Sequence, residues 1–401
     1  MSIFASASYP PKIAVVHDWL VTYGGAEIVL EHILHTLPHN ELYAIVEYLS
    51  DTNRQNLETD KISASFIQRL PFSRRLYWYY AALMPLAVEQ FDLRHYDMIF
   101  SSSHAVAKGV IVSPDQLHIC YFHSPLRFAW DLQPYYFEKF GWRRGIRRLA
   151  AALVFHYLRA WDVRGSHSVD VLLANSAFVA RRIRKVYGRR ALVVPPPIDT
   201  ERFVPGGSRE SHYLTGSFMN PFKALDVIVQ AFRQMPGKKL LVFGEGPEAA
   251  ALKRMATPNI SFLGRLSHQD LVSHLQMARA LVYAAPEDFG MLMAEAQSCG
   301  TPVIAYGVGG AGEIIRTEGA GRTGVLFSEQ TPQSVCEAVG AFERTEGTIR
   351  PEDCRNNALR FAEAHFHRRI RSITGAAWRL WSSHRWPDDD AALVAALTPE
   401  D

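Results

Sequence analysis

Two glutamates that stand eight residues apart, Glu287 and Glu295, form the strongest chemical signal in the sequence. Gly290 lies between them at a predicted helix start, and the first amides of a helix bind anions. The amides expected to face such an anion are those of Asp288, Phe289, Gly290 and Met291. Glu295 would lie one turn further along, where its carboxylate can accept hydrogen bonds from vicinal hydroxyls. Two solvated helix carboxylates are the alternative interpretation.

A lysine and two glycine turns fall in the same series of loops that follow predicted strands. Lys223 comes directly after Asn220-Pro221-Phe222 at a predicted helix start, where its ammonium group is placed to neutralise a diphosphate. The glycine turns are Gly244-Glu245-Gly246 and residues 307–310. Several elements suited to an anion are therefore expected to converge, although a single lysine is also a common solvated charge.

The first half of the chain carries a second group of candidates. His123 ends a predicted strand, where an imidazole can donate to a sugar hydroxyl or transfer a proton; a histidine satisfied within the core is the alternative. His17 and Asp18 occupy the equivalent place after the first strand. Gly24 and Gly25 follow them, and they either allow a phosphate or sugar to approach the backbone or form a simple tight turn.

The elements that must position these residues alternate between strand and helix. In the first half, strands are predicted at 12–17, 98–101, 117–121, 171–174 and 191–194, with helices at 26–37 and 143–166. Residues 195–211 are rich in proline, glycine and polar residues, which is typical of an interdomain linker. A second series then follows, with strands at 212–216, 239–243, 280–283, 302–306 and 324–327 and helices at 224–234, 291–298 and from 332.

This alternation predicts an α/β protein with two doubly wound parallel sheets in succession. Ligands of such sheets bind beyond the carboxyl ends of the strands, so we expect a crevice between the two facing domains to be the site. The last helical stretch is predicted at 353–383, followed by an acidic, frayed tail.

Composition narrows the function classes. The chain has 401 residues, of which 48% are hydrophobic and 21% charged, which fits two folded domains and argues against a disordered chain. The net charge of +3 argues against nucleic acid as a partner. Residues 1–200 hold 22 Lys and Arg against 17 Asp and Glu, whereas residues 201–401 hold 21 against 23. The first half is therefore the more favourable place for an anionic surface.

Several motifs are missing from the sequence. The four cysteines show no C-x-x-C pair, so neither zinc nor disulfides are indicated. No D-x-D follows an apolar strand and no cluster has metal-ligand spacing, so we expect no metal site. The Gly24-Gly25 turn after the first strand is not G-x-G-x-x-G, which disfavours a nicotinamide oxidoreductase, and the absence of G-x-S-x-G and of a Walker lysine disfavours a hydrolase and a P-loop protein. Without a signal peptide or a run of 18 apolar residues, we expect neither export nor a membrane-spanning helix.

Taken together, these residues resemble a known family. Over roughly residues 12–383 the sequence is similar to glycosyltransferase family 4 enzymes of the GT-B fold. The positions that carry the resemblance are Gly24-Gly25-Ala26-Glu27, residues 101–110 (SSSHAVAKGV), His123-Ser124-Pro125, Trp130-Asp131, Asn175-Ser176, Pro197-Ile198-Asp199, Lys223, Gly244-Glu245-Gly246-Pro247 and the pair Glu287 and Glu295.

The resemblance implies transfer of a sugar from a nucleotide-diphosphate sugar with retention of configuration, with no cofactor and no essential metal. In the family the first glutamate contacts the donor sugar and the second contacts the ribose, which places these roles on Glu287 and Glu295. The lysine that contacts the diphosphate corresponds to Lys223. No second carboxylate is identifiable as a covalent nucleophile, so front-face attack is the preferred course of the reaction.

The family pattern also assigns the first half of the chain. The glycine loop near the donor phosphate and the acceptor corresponds to Gly24 and Gly25, and the histidine near the transferred sugar corresponds to His123. The resemblance implies Rossmann-like domains at 1–197 for the acceptor and 198–365 for the nucleotide sugar. It also implies a crossover helix and tail at 366–401, returning to the first domain.

One position departs from the family pattern. Such enzymes often carry an arginine five residues before the lysine, and here Phe218 stands there. Arg265 is the proposed substitute as a diphosphate contact, or helix amides suffice. A catalytically degenerate nucleotide-binding subunit is the alternative function that Phe218 suggests.

The donor and the acceptor follow from the closest part of the resemblance, which is to bacterial mannosyltransferases of polysaccharide assembly. It implies GDP-mannose as donor, with a UDP-sugar as the alternative, and an undecaprenyl-diphosphate-linked oligosaccharide as acceptor. We therefore expect a cytoplasmic protein associated peripherally with the inner face of the plasma membrane, of undetermined oligomeric state.

Two basic and aromatic stretches support a membrane surface, at 66–86 and 139–164. Arginine and aromatic residues beside an apolar face suit the headgroup layer of an anionic membrane. An ordinary helix with a solvated basic face is the alternative. The residues expected at this surface are Arg74, Arg75, Trp78, Arg143, Arg144, Arg147 and Arg148.

Overall fold

The computed structural model describes residues 10–39, 41–59, 61–139, 141–142 and 144–398. The chain divides into two compact units. The first unit contains the described residues up to Pro195 together with those from Phe366 onward, and the second unit runs from Pro196 to His365.

The first unit is built on a seven-stranded sheet in the order β3-β2-β1-β4-β5-β6-β7, and every paired strand is parallel to its neighbour. The strands are β1 (Ile13–His17), β2 (Glu41–Ala44), β3 (Ile62–Ala64), β4 (Met98–Ser103), β5 (Leu117–Phe122), β6 (Val171–Ala174) and β7 (Leu192–Val193). The α-helices before the second unit are α1 (Gly25–Thr36), α2 (Asp51–Gln55), α3 (Ser73–Leu76), α4 (Met84–Glu89), α5 (Gln133–Lys139), α6 (Ile146–Ser166) and α7 (Ala177–Tyr187). Short 3₁₀ turns occupy Phe66–Arg69, Tyr77–Leu83 and Ala107–Gly109.

Both faces of this sheet are covered, because successive side chains of a strand point to opposite sides. On β1, Val15 packs into the cluster that contains helix α1, whereas Val16 packs into the cluster that contains Phe155 and Trp161 of α6. Nearly every strand residue is buried as a result, which explains the short, continuous apolar runs of the sequence.

The second unit repeats the architecture with six parallel strands in the order β10-β9-β8-β11-β12-β13. The strands are β8 (Tyr213–Gly216), β9 (Leu240–Phe243), β10 (Ile260–Gly264), β11 (Ala280–Tyr283), β12 (Val303–Tyr306) and β13 (Gly324–Phe327). The helices are α8 (Leu225–Arg233), α9 (Ala249–Arg254), α10 (His268–Met277), α11 (Met291–Ser298), α12 (Ala311–Ile314), α13 (Pro332–Thr345) and α14 (Pro351–Leu359), with 3₁₀ turns at Pro221–Lys223 and Glu346–Thr348.

Local signals predict the helix starts of this unit well. Ser267 accepts a hydrogen bond from the amide of Asp270 at 3.1 Å, as its capping box indicates. Thr331 caps α13 in the same way, with proline at the first helical position. The two predicted series of α/β elements are thus confirmed as two parallel sheets.

Three strands escaped the sequence analysis: β2, β3 and β10. β2 and β3 each contain a polar residue, and these two residues contact each other, since Ser63 donates to Glu41. Glu41 on β2 is buried, with Lys61 Nζ 2.8 Å and Tyr96 Oη 3.2 Å from its carboxylate. A four-residue strand that begins with a glutamate has no apolar run by which to recognise it.

The prediction of one helix at 353–383 is wrong. The chain forms α14 and then α15 (Glu363–Ser382), separated by a break at Phe361 and Ala362. The break arises because this segment pairs with Ile198, whose amide donates to the carbonyl of Phe361 at 2.9 Å. Backbone groups used in this bridge cannot continue the helical ladder.

The described part of the acidic tail, up to Thr398, is not frayed, contrary to expectation. It contains helix α16 (Asp390–Leu397), capped by Asp389, and it buries Leu393 and Leu397 in the core of the first unit. Arg189 donates to both carboxylate oxygens of Asp390, at 2.6 and 2.7 Å. This contact joins positions that are distant in sequence, so no local pattern could indicate it.

A buried ion pair stabilises the segment that follows β4. Lys108 and Asp162 are both fully buried, with Nζ 2.5 Å from Oδ1. Lys108 Nζ also donates to the carbonyl of Ala105 at 2.6 Å, while Trp130 and Tyr187 donate to Asp162 Oδ2 at 2.8 and 3.0 Å. These bonds join α6 to the loop after β4.

Replacing Lys108 with methionine should lower the free energy of unfolding by about 3–5 kcal/mol, because Asp162 would remain a buried charge without its partner. Urea unfolding followed by circular dichroism measures the loss. Arg94→Met is the matched control, since the pair of Arg94 with Asp92 lies on the surface and its loss should not move the unfolding midpoint. Equal stability of the two variants would contradict the assigned role.

Candidate functional site

Three histidines meet at the carboxyl edge of the first unit's sheet. His17 ends β1, His104 follows β4 and His123 follows β5, and these three strands are adjacent in the sheet. The ring centroids lie 5.9 Å apart for His17 and His104, 6.1 Å for His104 and His123, and 6.4 Å for His17 and His123. Parallel register therefore places His123 among polar groups rather than in an apolar core.

Ser102 connects two of these rings. Its hydroxyl lies 3.1 Å from His17 Nδ1 and 2.8 Å from His123 Nε2. Burial, followed by the nearby His104 and His17, holds the pKa of His123 well below the ordinary value, so its imidazole is neutral near pH 7. Sequence reasoning included Ser102 in the motif at 101–110 but gave it no role, although its place one residue before the end of β4 puts it in register with His17.

Asp18 organises the loop after β4. Its buried carboxylate accepts hydrogen bonds from four consecutive amides, at 2.5 to 2.9 Å, those of His104, Ala105, Val106 and Ala107. Burial alone would raise the pKa of Asp18, but His104, His17 and the amides hold it below its ordinary value. Asp18, a candidate from the sequence, therefore fixes the backbone of the loop after β4.

Gly24 and Gly25 form the start of α1 beside the histidines. The amide of Gly24 donates to Glu27 Oε2 at 3.0 Å, and Glu27 Oε1 lies 3.8 Å from His17 Nε2. Gly24 has extended backbone that any residue adopts, and a Cβ there would lie 3.5 Å from Glu27, an ordinary contact distance. Packing of this unit therefore does not require glycine at position 24.

In the second unit, Lys223, Tyr283 and Glu287 form one cluster. Lys223 Nζ donates to Glu287 Oε1 and lies 3.4 Å from Tyr283 Oη, while Tyr283 donates to the same carboxylate oxygen at 2.7 Å. Burial lowers the pKa of Lys223, but Glu287 more than offsets this effect and holds the pKa above its ordinary value. Lys223 is therefore a stable cation. Tyr283 was missed, although it ends β11 four residues before Glu287.

The loop after β12 fixes the backbone of the Glu287 segment. Gly310 donates its amide to the carbonyl of Glu287 at 2.9 Å. Gly309 has a φ of +94°, and a Cβ there would lie 2.1 Å from the same carbonyl oxygen. A side chain at position 309 would therefore displace Glu287, and the predicted glycine turn at 307–310 has a packing role beside the cluster.

Helix α11 begins as the sequence predicts, with Gly290 as its N-cap in the left-handed region and Met291 as its first residue. Asp288 is partly exposed. Phe289 is 4% exposed and packs against Phe361, so only its backbone can face a ligand. Met291 is partly exposed. The carboxylate of Glu287 thus lies next to a helix start whose amides suit an anion.

The turn that contains Gly244 and Gly246 packs on the loop after β8. Gly244 has a φ of +111°, and a Cβ there would lie 1.9 Å from the carbonyl oxygen of Ser217. The amide of Gly244 donates to Gly264 at 2.7 Å, which brings the exposed Arg265 next to this turn. Phe218, at the position of the expected arginine, is 63% exposed.

Glu295 lies on α11, partly exposed. Burial raises its pKa to about 7, and the charge of Asp199 adds to the effect. Asp199 belongs to the Pro197-Ile198-Asp199 segment. Its carboxylate and that of Glu295, which are far apart in sequence, therefore lie close enough to influence each other. Protonated Glu295 is populated near neutral pH.

The side chains expected at a membrane surface are exposed wherever the structure describes them. Arg74 and Arg75 point to solvent, and Trp78 is 39% exposed, with its ring 4.6 Å from that of Trp19. Arg143 lies outside the described residues. We define the α6 patch as the exposed side chains near the start of α6, which are Arg144, Ile146, Arg147, Arg148, Leu149, Leu153 and Tyr157.

The apolar residues of the α6 patch recur at positions i, i+3, i+7 and i+11, so they share one side of the helix. Their exposed fractions are 83% for Ile146, 61% for Leu149, 61% for Leu153 and 47% for Tyr157. Within the described part of the chain, no helix is both long enough and apolar enough to cross a bilayer, and no group of three or more His, Cys, Asp or Glu side chains has the geometry to hold a metal ion.

Comparison with protein families gives two matches. Residues 23–202 match the family model described as Glycosyltransferase Family 4, and residues 211–342 match that described as Glycosyl transferases group 1. The two matches together include most of both units.

Among individual proteins, the chain is 32% identical over 180 residues to a GDP-mannose-dependent monoacylated alpha-(1-6)-phosphatidylinositol monomannoside mannosyltransferase from Corynebacterium glutamicum, covering 37% of this chain and 47% of that protein. It is also 32% identical over 185 residues to D-inositol 3-phosphate glycosyltransferase of Mycobacterium tuberculosis, covering 40% of this chain and 38% of that protein. The chain thus spans less than half the length of these curated relatives.

Solved structures share the fold. HepE of Anabaena, determined with UDP and glucose, superposes with a TM-score of 0.64 at 17% identity and covers 90% of this chain and 98% of its own. Sucrose-phosphate synthase from Thermosynechococcus elongatus superposes with a TM-score of 0.66 at 15% identity, covering 93% and 100%. Two parallel α/β units with this likeness constitute the GT-B fold.

The raised pKa of Glu295 makes stability depend on pH with a definite sign. Because the pKa rises from 4.5 to about 7, the folded chain binds more protons than the unfolded chain between these values, so stability falls as pH rises through this window. Glu295→Gln removes this titration, and its loss of unfolding free energy between pH 5 and pH 8 should be about 2 kcal/mol smaller than that of the wild type.

Urea unfolding at the two pH values measures this difference. Glu329→Gln, at an exposed position of the same unit, is the control and should follow the wild type. An identical pH dependence of Glu295→Gln and the wild type would show that Glu295 has an ordinary pKa.

Proposed function

Because the chain belongs to glycosyltransferase family 4, we propose that it is a retaining hexosyltransferase that takes its sugar from a nucleotide-diphosphate donor. The proposed acceptor is a saccharide linked to a polyprenyl diphosphate, in the assembly of bacterial exopolysaccharide or O-antigen. The observation that carries the proposal is the cluster of Lys223, Tyr283 and Glu287 at the start of α11, because it combines a cation, a carboxylate and helix amides.

The cluster suits departure of a nucleoside diphosphate. Lys223 is held as a cation by Glu287, and the amides at the start of α11 point toward the same loop, so both stabilise negative charge that grows on the leaving diphosphate. This arrangement neutralises the diphosphate with the chain's own groups, which is the reason to propose transfer without an essential metal or other cofactor.

The carboxylates have separate proposed roles. Glu287, adjacent to the helix start, orients the donor sugar, and Glu295, further along α11, accepts hydrogen bonds from the ribose hydroxyls. Tyr283 is added to this set, since its hydroxyl donates to Glu287 and so fixes the direction of the carboxylate. Front-face attack by the acceptor hydroxyl remains the proposed course, which retains the configuration of the sugar.

In the first unit, His123 is proposed to contact the transferred sugar, and Gly24 and Gly25 to admit the donor phosphate and the acceptor. A neutral imidazole is suited to hydrogen bonding with a hydroxyl rather than to charge neutralisation. A Cβ at position 24 would meet only the Glu27 carboxylate, at 3.5 Å, and the absence of a side chain there supports close approach of a ligand to the backbone.

GDP-mannose is the proposed donor. The name of the Corynebacterium glutamicum relative supports both the base and the sugar. A UDP-sugar is the competing donor, because HepE was determined with UDP and glucose. The exposed Phe218 leaves the diphosphate without the expected arginine, and Arg265, beside the Gly244 turn, is the proposed replacement.

Lys223→Ala and Glu287→Gln should change nucleotide binding and transfer in different ways. Loss of the lysine should weaken GDP binding by about 10–100-fold, because a charged hydrogen bond contributes about 1.5–3 kcal/mol. Glu287→Gln leaves the cation in place, so GDP affinity should be retained while transfer falls by at least about 100-fold. Isothermal titration with GDP and UDP, beside a mannose-transfer assay, measures both quantities.

Lys239→Ala is the matched control for this experiment, since Lys239 is exposed immediately before β9, at the opposite end of that strand from the Gly244 turn. Wild-type transfer by Glu287→Gln with an intact fold would contradict the proposed site. Binding of GDP by the wild type without transfer to any lipid acceptor would instead favour a degenerate nucleotide-binding subunit.

The proposed location is the inner face of the plasma membrane, with peripheral attachment. Support comes from the α6 patch, in which three arginines lie beside an exposed apolar stripe, and from Arg74, Arg75 and Trp78. Apolar residues that enter the acyl boundary and arginines that meet anionic headgroups are complementary to an anionic bilayer, and each basic residue contributes about 1 kcal/mol.

Replacing Arg144, Arg147 and Arg148 with glutamate should reduce binding to vesicles of phosphatidylglycerol and phosphatidylethanolamine by more than about tenfold. Flotation on a density gradient measures the bound fraction. The control variant, with Arg181, Arg184 and Lys185 changed to glutamate, makes the same change in net charge on α7 and should bind nearly as the wild type. Equal flotation of both variants and the wild type would remove the α6 patch from the proposal.

A further inference from the structure

A line of polar groups runs from the start of α1 to His123, joined by hydrogen-bond distances except between Glu27 and His17, where the contact is electrostatic. The Gly24 amide donates to Glu27 Oε2, and Glu27 Oε1 faces His17 Nε2 at 3.8 Å. His17 Nδ1 meets the hydroxyl of Ser102 at 3.1 Å, and the same hydroxyl meets His123 Nε2 at 2.8 Å. Ser102 and His17 are fully buried, whereas His123 is partly exposed.

The charge of Glu27 determines which nitrogen of a neutral His17 carries its proton. Burial alone would raise the pKa of Glu27, but His17 and His104 hold it below its ordinary value, so Glu27 is a carboxylate. A carboxylate accepts hydrogen bonds only, and therefore favours the proton of neutral His17 on Nε2, the nitrogen that faces it. His17 Nδ1 is then an acceptor.

The hydroxyl of Ser102 links the protonation of His17 to that of His123. A hydroxyl has one proton to donate, and the lone pair of His17 Nδ1 takes it. The oxygen of Ser102 can then only accept from His123, so the proton of the neutral His123 ring lies on Nε2. His123 Nδ1 is left as an acceptor on the partly exposed side chain.

We propose that Ser102 is a positioning residue, which holds His123 in the Nε2-protonated form so that Nδ1 accepts a hydrogen bond from a hydroxyl of the transferred sugar. The sugar contact rests on the proposed transferase function; the protonation pattern of His123 does not. Ser102 touches no substrate in this arrangement and acts through His123.

The same strand offers an internal reference on its other face. Ser101 lies 2.8 Å from Nε2 of the buried His118, whose Nδ1 lies 3.1 Å from the carbonyl oxygen of Ser168. A carbonyl can only accept, so His118 carries its proton on Nδ1. The two serine and histidine pairs of β4 and β5 are thus expected to hold opposite tautomers.

Asp18 does not compete for the His17 proton, because its carboxylate already accepts four amides and faces His104 Nδ1 at 3.2 Å. Glu27 is thus the carboxylate that faces Nε2 of His17 among the contacts of the described residues. The direction of the hydrogen bonds from His17 through Ser102 to His123 therefore depends on the charge of Glu27.

The test is NMR of the full chain with ¹⁵N-labelled histidine at pH 8.5, where an imidazole is ordinarily neutral. Among the 16 histidines, His123→Gln identifies the signals of position 123 and His118→Gln those of position 118. The expected result is a proton on Nε2 of His123 and on Nδ1 of His118. A wild-type His123 protonated on Nδ1 would overturn the proposal.

Ser102→Ala should convert His123 to a mixture of tautomers, and Ser102→Thr, which keeps the hydroxyl, should restore the wild-type pattern. Ser101→Ala is the matched control and should leave the His123 signals unchanged. If Ser102→Ala does not fold, Glu27→Gln serves in its place and should also give a mixture. An unchanged His123 pattern in the folded variant would refute the positioning role.

Activity gives the second measurement. In Ser102→Ala, kcat/KM for the sugar donor should fall about tenfold, as expected for one lost hydrogen bond of about 1.4 kcal/mol, while Ser101→Ala should retain wild-type transfer. A folded Ser102→Ala with wild-type kcat/KM would overturn the link to the sugar. If the wild type transfers no sugar at all, the proposed function fails, and the tautomer pattern still decides the role of Ser102.

Discussion

The parallel direction of every paired strand determines where chemistry can lie in this protein. Because all strands of a parallel sheet end at the same edge, residues that are far apart in sequence become neighbours there. In the first unit this edge gathers His17, His104 and His123 from three adjacent strands. In the second unit Lys223, Tyr283 and Glu287 meet in the same way, after β8 and β11. The register of each sheet therefore fixes where the loops that carry these residues begin.

Charged side chains are fully buried in the interior but partly exposed at the candidate site. Lys108 and Asp162 are fully enclosed, so they stabilise the fold and cannot meet a ligand. Asp18 is equally buried, with its oxygens bound by backbone amides. The side chains of Lys223 and Glu287 are 26% and 20% exposed, so their charges are compensated in the free protein and still accessible to an anion. This difference in exposure separates the structural ion pair from the one proposed to act on a donor.

Local features of the fold were predictable from sequence, because they depend on neighbouring residues. The start of α11 at Gly290 and the cap at Ser267 belong to this class. Features that depend on distant contacts were not predictable: β2 begins with Glu41, which Lys61 and Tyr96 satisfy, and α16 is held by Arg189, some 201 positions earlier in the chain. The break before α15 likewise reflects pairing with Ile198 rather than any breaker in the sequence.

The residues of the candidate site also divide into those that the sequence could indicate and those that only distant contacts reveal. Individual residues such as His123 and Lys223 could be proposed from their place after strands, and the family pattern named their roles. Their partners could not, since Ser102 and Tyr283 become significant only through contacts across strands or loops. Phe289 shows the converse, because its buried side chain confines any ligand contact to its backbone.

A crystal structure of the protein with GDP bound tests the central claim most directly, namely that the cluster at the start of α11 holds the donor diphosphate. The predicted result places a phosphate oxygen within hydrogen-bond distance of Lys223 Nζ and of an amide at the start of α11, with the ribose hydroxyls facing Glu295. GDP bound with its diphosphate away from both Lys223 and the helix start would contradict the claim.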